Sequence, residues 1–152
     1  MAAHTENSIL INAPMEVVWG MTNDIESWPR LFTEYQSAEI IRRDGDTIRF
    51  RLALHPDDSG KVWSWVSDRT PDRETRTCRS MRVEPGPFKY MFLFWEYLQN
   101  SGGVELRWVQ DFEMKPGMLL DDQGMTNRIN RNSVVQLKHI KSRIEATVEG
   151  RR

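Results

Sequence analysis

Between Tyr35 and Met114 apolar and polar residues alternate with a period of two. The alternation breaks at clusters of turn residues: Arg43 to Asp46, Pro56 to Gly60, Pro71-Asp72, Pro85 to Pro87, and Asn100 to Gly103. This punctuation predicts six consecutive strands. In Thr47 to His55 one face carries Ile48, Phe50, Leu52 and Leu54 and the other Arg49 and Arg51; in Val104 to Met114, Leu106, Trp108, Gln110, Phe112 and Met114 oppose Glu105, Arg107, Asp111 and Glu113. Strands of this kind are antiparallel, half buried, with one wet face.

The flanks have other patterns. Ser8 to Ile11 is short, apolar and β-branched, and stops at Asn12-Ala13-Pro14. It reads as a strand entering a helix over about 15–22, because Pro14 presets the angle of a first turn and Glu16 favours the positive helix end. Asp24 to Trp28 begins a second short helical piece that Pro29 is expected to interrupt or restart. From about Asp122 to Val148 the spacing is helical: Ile129, Ser133, Gln136, Leu137, Ile140 and Ile144 share one side, away from Arg128, Arg131, Lys138 and Glu145. The order strand, two short helices, six strands, long helix excludes a doubly wound fold. The reading is α+β, with a curved seven-stranded antiparallel sheet wrapped around the C-terminal helix.

The chain has 152 residues, which suits one domain over 1–152. It is 28% charged, yet holds six Trp, six Phe, three Tyr and eight Met, so much aromatic bulk needs a place indoors. The inward faces also carry polar groups. Trp63 and Trp65 share a face with Ser67 and Arg69; Gln110 follows Trp108; Arg82 shares the face of Cys78 and Ser80; Ser133 and Gln136 lie on the apolar stripe of the helix. Singly, each has an ordinary reading: Arg69 as a strand-end cation reaching water, the amides as satisfied core groups, and Met91, Trp95 and Tyr97 as core. Together they describe an aromatic-lined face with a few convergent polar groups, the anatomy of a small-molecule pocket.

Several classes fall away. No apolar run of about 18 residues and no basic-then-apolar N-terminus is present, so the expectation is a cytoplasmic protein with no membrane partner. With 21 basic and 22 acidic side chains the net charge of −1 gives no reason to expect nucleic acid. The single cysteine, Cys78, reads as a small buried filler. His4 in the N-terminal tail, His55 at a strand end and His139 off the helix stripe are peripheral, and no Ser or Cys is paired with a His base.

At these residues the chain resembles the aromatase/cyclases of bacterial type II polyketide synthases, in particular the single-domain tetracenomycin and spore-pigment type. The resemblance runs from about residue 5 to 145. It is carried by Thr22 to Pro29, by Val62 to Ser67 with Arg69, by Gly86-Pro87-Phe88 through Tyr90-Met91, and by Arg107 to Gln110 with Met114 to Gly117. It implies a helix-grip fold of the START and Bet v 1 type enclosing a deep cavity. It also implies an activity in antibiotic or spore-pigment biosynthesis: folding a linear poly-β-ketone held on an acyl carrier protein of a minimal polyketide synthase, closing the first ring between C9 and C14 by aldol condensation, and dehydrating it. The implied catalytic residues are Arg69, Tyr35 and Ser67. Those placed around the substrate are Trp28, Trp63, Trp65, Arg82, Met91, Trp95, Trp108 and Gln110, with Ser133 and Gln136 from the helix stripe. Gln136 stands where the tetracenomycin type has Asn, which moves the amide by a methylene and leaves the ring regiochemistry open.

The chemistry fits without a metal or other cofactor. A methylene between two ketones is already acidic, so cyclisation needs an enolate held and a second carbonyl polarised. A charged guanidinium such as Arg69 does this in a dry site, Tyr35 can relay a proton, and Ser67 can hold a water or a carbonyl. A pocket that admits one bend of the chain also raises the effective molarity of one reacting pair. The alternatives are a non-catalytic carrier of hydrophobic ligands on the same fold, or a chaperone of an enzyme complex. Arg128, Arg131, Lys138 and Lys141, or Arg42 and Arg43, are candidates to meet an acidic carrier protein, and as single charges they also suit a solvated surface. Tyr90, Phe92 and Phe94 fall on the outer sheet face, to be covered by a helix layer or by an oligomer contact.

Overall fold

The computed structural model describes residues 2–150. Its elements run β1 (Ala3–Ile11), α1 (Met15–Asn23), a 3-10 turn (Ile25–Ser27), α2 (Trp28–Leu31), β2 (Tyr35–Asp44), β3 (Thr47–Leu54), β4 (Ser64–Asp72), β5 (Thr77–Arg82), β6 (Phe88–Asn100), β7 (Gly103–Met114) and α3 (Asp122–Glu149). All seven strands form one antiparallel sheet in the order β1-β7-β6-β5-β4-β3-β2. The predicted fold class and element order therefore hold. Register shifts in β2 and at the start of β6 mark bulges, which bend a strand and increase its local twist. The β6–β7 hairpin turns tightly because Gly103 takes φ 133°, and a Cβ there would lie 2.1 Å from the Ile11 carbonyl oxygen.

Three details differ from the sequence reading, and at Pro29 the structure selects one of the two outcomes expected. Strand β1 starts at Ala3 rather than Ser8, so His4 is paired in a strand; the added residues are polar on both faces and show no hydrophobic period. Pro29 restarts the chain: it occupies the first turn of α2, where its missing N–H leaves nothing unsatisfied. Strand β4 begins at Ser64, which leaves Trp63 in the preceding loop. Helix α3 runs one residue further than expected. Its start is fixed by the Asp121 carboxylate, which accepts from the Gly124 N–H at 2.8 Å, and by Asp122, which accepts from the Met114 N–H at 2.7 Å. The predicted stripe of α3 is buried at Ser133, Gln136, Leu137, Ile140 and Ile144, and packs chiefly against β1.

Candidate active site

The interior between sheet and helices is built of rings. Trp28, supplied by α2, lies nearly parallel to Trp95 of β6 at 5.8 Å between centroids, and Trp95 stacks on Trp108 of β7 at 4.8 Å. Phe32 stacks on Trp108 at 5.9 Å, and Tyr35 contacts Trp28, Phe32 and Trp65. The Trp28 indole is held by donating to the Thr22 carbonyl at 3.1 Å. Rings in mutual contact thus occupy the centre of the space that the resemblance describes as a deep cavity. Met91 sits in a separate apolar cluster with Phe88, Phe112 and Met114.

Arg69 is the largest fully buried side chain among the described residues, with 1% of its surface exposed. The strand-end reading, in which it reaches water, is wrong, because β4 continues three residues beyond it and α1 closes over it. Its Nε donates to Asn23 Oδ1 at 3.1 Å and its Nη2 to the Tyr97 hydroxyl at a long 3.5 Å. The guanidinium lies 4.2 Å from the Trp95 ring centroid and 5.4 Å from that of Trp28. Among the described residues no carboxylate pairs with it. A buried cation with neutral partners keeps its field for a bound oxygen, and burial makes that field strong.

Behind it stands a polar network that the sequence reading missed. Asn23 Oδ1 also accepts from the Cys78 thiol at 3.4 Å. The Tyr97 and Thr22 hydroxyls are 2.6 Å apart, and Thr22 donates to the Val18 carbonyl at 2.7 Å. Burial pushes the Tyr97 phenol and the Cys78 thiol up, while the Arg69 charge opposes both shifts. Cys78 is buried, as a filler should be, and also serves as a donor. Tyr97 was read as core from its face alone. The available signal was the Thr22-Asn23 pair at the end of a helix that must bury one side.

Tyr35 belongs to a second polar group. Burial raises its phenol well above the usual range, helped by Glu34, so it stays protonated at neutral pH. Burial also raises Glu34, against hydrogen bonds from Asn132 (3.0 Å) and Tyr35 and the charges of Arg128 and Arg82. Arg82 is pulled down to about 10 by burial and remains a cation at neutral pH; it lies over Trp65 at 4.1 Å and Phe88 at 4.8 Å. Ser67, 4% exposed, is in register with Arg82 on the inner face. Gln110 is in register with Leu93 and Thr5. Ser133 is buried on α3.

Two candidates serve structure as placed. Gln136 is a satisfied amide: its Oε1 accepts from the Thr33 N–H at 2.9 Å and its Nε2 donates to Thr33 Oγ1 at 2.7 Å, pinning the α2–β2 connection to α3. Trp63 is no wall of the interior. It is 46% exposed, donates to Asp57 Oδ2 at 3.0 Å and carries Lys61 over its ring at 3.7 Å. The cause is the Asp57 carboxylate, which also accepts from Ser59 and the Lys61 N–H and thereby folds the loop outward; these bonds hold its pKa far below the usual range. On the outer sheet face Phe92 stacks on Tyr90 at 5.3 Å, and Arg79 lies over Phe94 at 4.8 Å. Phe92 and Phe94 help line a depression of about 420 Å³ to which no described helix contributes a residue.

A long C-terminal helix gripped by a curved antiparallel sheet is the helix-grip fold. A START-superfamily protein from Mycobacterium smegmatis has the same fold, with a TM-score of 0.79, 15% identity, and coverage of 95% of this chain and 98% of that one. The aromatase/cyclase Zhui from Streptomyces sp. R1128 superposes with a TM-score of 0.84 at 21% identity, over 97% of this chain and 96% of that one. Residues 11–133 match the family described as polyketide cyclase / dehydrase and lipid transport, and the chain belongs to that family. A Streptomyces cyaneus protein whose name proposes a polyketide cyclase is 56% identical over 145 residues, 95% of each chain. No helix of the described residues is long and apolar enough to cross a membrane.

Proposed function

We propose that this polyketide cyclase is an aromatase/cyclase that accepts a linear poly-β-ketone from an acyl carrier protein, closes the first ring between C9 and C14 and dehydrates it, with no cofactor. The observation that carries the reading is Arg69, buried without a carboxylate and braced by Asn23, Tyr97 and two indole faces. Its free donors hold the oxygen of the enolate. The Glu34 carboxylate takes the methylene proton through the Tyr35 hydroxyl as the enolate forms; the enolate carbon attacks the second ketone, a C–C bond forms, and the proton returns through Tyr35 to the new alkoxide. Loss of that hydroxyl together with a proton from the adjacent carbon, as water, gives a ring double bond, and enolisation of the remaining ring ketones makes the ring aromatic. Ser67 and Arg82, in register with each other, hold further carbonyls, and the stacked indoles set the bend.

The test is addition of the protein to a minimal polyketide synthase. A new or enriched first-ring product is expected, with the spread of other rings restored in Arg69→Ala. An unchanged product profile with the parent protein defeats the enzyme reading and favours a carrier. A parent effect that survives Arg69→Ala leaves a cyclase but removes Arg69 from its chemistry.

A further inference from the structure

The sheet register places Arg69 in a row that no local pattern shows. Arg69 pairs with Ser80 on β5, Ser80 with Leu93 on β6, Leu93 with Gln110 on β7, and Gln110 with Thr5 on β1. Directly opposed residues of antiparallel strands project to the same side, so all five face inward. A second row, Cys78, Trp95, Trp108 and Asn7, flanks it on one side. The row ends on unmet polar groups. Among the described residues three buried side-chain polar atoms have no partner, and two are Thr5 Oγ1 and Trp108 Nε1. Thr5 is 3% exposed and Trp108 5%. The Trp108 ring is stacked between Trp95 and Phe32. The row also runs between the two apolar clusters, which do not merge. Buried polar atoms in native proteins are nearly always partnered, so two adjacent orphans on one inner face point to a missing partner.

We propose that Arg69, Ser80, Gln110 and Thr5, with the Trp108 N–H beside them, form a hydrogen-bonding track that binds every second carbonyl oxygen of an extended polyketone segment. The proposal rests on the polyketide reading above and names Thr5 and Ser80 as new substrate-binding residues. The spacing matches the ligand class. Neighbouring strands lie about 4.8 Å apart, so four steps from β4 to β1 span about 19 Å along the sheet. With C–C bonds of about 1.5 Å, ketones four bonds apart on an extended chain are about 5 Å apart. Every second ketone of an alternating polyketone therefore meets one strand, and Leu93 marks the one step without a polar side chain. Arg69 anchors the end where charge develops, and Thr5 and Trp108 hold the other end uncharged.

The experiment titrates the parent protein, Thr5→Val and Ser80→Ala with heptadecaneoctaone, a linear chain bearing ketones on alternate carbons whose end ketones, about 17 Å apart when extended, reach both Ser80 and Thr5. Tryptophan fluorescence reads binding, and thermal unfolding is measured without ligand. Valine keeps the shape of threonine and removes the orphan hydroxyl. Thr5→Val is therefore expected to weaken binding about three- to tenfold, one net hydrogen bond, while its Tm stays equal to or rises above the parent's. A merely structural threonine would lower Tm. Ser80→Ala, at a half-buried position, gives a second reading of affinity. Equal affinity in both variants, or a clear fall in the Tm of Thr5→Val, overturns the track while leaving the cyclase reading in place. A parent protein that neither binds the octaketone nor alters the products of a minimal synthase overturns both.

Discussion

Replacing Arg69 by methionine should make the protein more stable and less useful. The side chain is buried to 99% of its surface with no anionic partner. Taking a guanidinium out of water costs several kcal/mol after relaxation. Against this stand one good hydrogen bond to Asn23, one long bond to Tyr97, and the faces of Trp95 and Trp28. These contribute about 1.5–3 kcal/mol for the good charged bond and about 2 kcal/mol for a desolvated cation–π contact. The decisive point is what removal leaves behind. Asn23 Oδ1 keeps the Cys78 thiol and the Tyr97 hydroxyl keeps Thr22, so neither partner is orphaned. Methionine fills similar volume and adapts to gaps. Replacement of buried ionic groups by packed apolar ones is neutral or stabilising by about 1–4 kcal/mol in comparable cases. Urea and thermal unfolding of Arg69→Met should show a gain in that range, with a Tm higher by about 2–4 °C for each kcal/mol. First-ring selectivity should be lost in the same variant. A loss of stability of more than about 1 kcal/mol would refute the reasoning and make Arg69 a structural brace.

Three further outcomes are expected. Asn23→Asp sets a carboxylate 3.1 Å from the guanidinium, so product selection should fall while the fold is kept; full activity would show that the unneutralised charge is not what acts. The Glu34 carboxyl is raised by burial, so its contribution to stability is fully present below its unfolded pKa near 4.5 and is lost as pH rises through the higher folded value. Glu34→Gln should therefore gain in Tm over the parent at pH 7.5 and lose that gain as pH falls toward 4, and a pH-independent difference would contradict this. Gln136→Leu removes both bonds to Thr33 and leaves a backbone N–H without its partner, at a cost of about 1–3 kcal/mol in unfolding experiments, whereas Asn at this position is too short to make both bonds.

The inward and outward faces of β3 and β7, and the buried stripe of α3, were readable in the chain because a strand's period of two and a helix's of 3.6 are local properties. So were the order of elements and hence the fold class. Reading polar residues against those periods also singled out Arg69, Ser67, Gln110 and Gln136 as inward groups. The start of β1 was hidden because Thr5 and Asn7 are polar on the buried face, and Trp63 was misplaced because the Asp57 side chain, acting six residues away, overrides the alternation.

Which inward groups meet is set by packing between distant parts of the chain. Asn23 reaches Arg69 across 46 residues, and Gln136 reaches Thr33 across 103. The row from Arg69 to Thr5 exists only through strand register, and one residue of slip would turn each member to the other face. Turn lengths and bulges along the whole sheet set that register together, so no single stretch of sequence contains it. The same long-range packing determines that Gln136 is a clamp, that Cys78 is a donor, and that the buried arginine has neutral neighbours and an uncancelled charge.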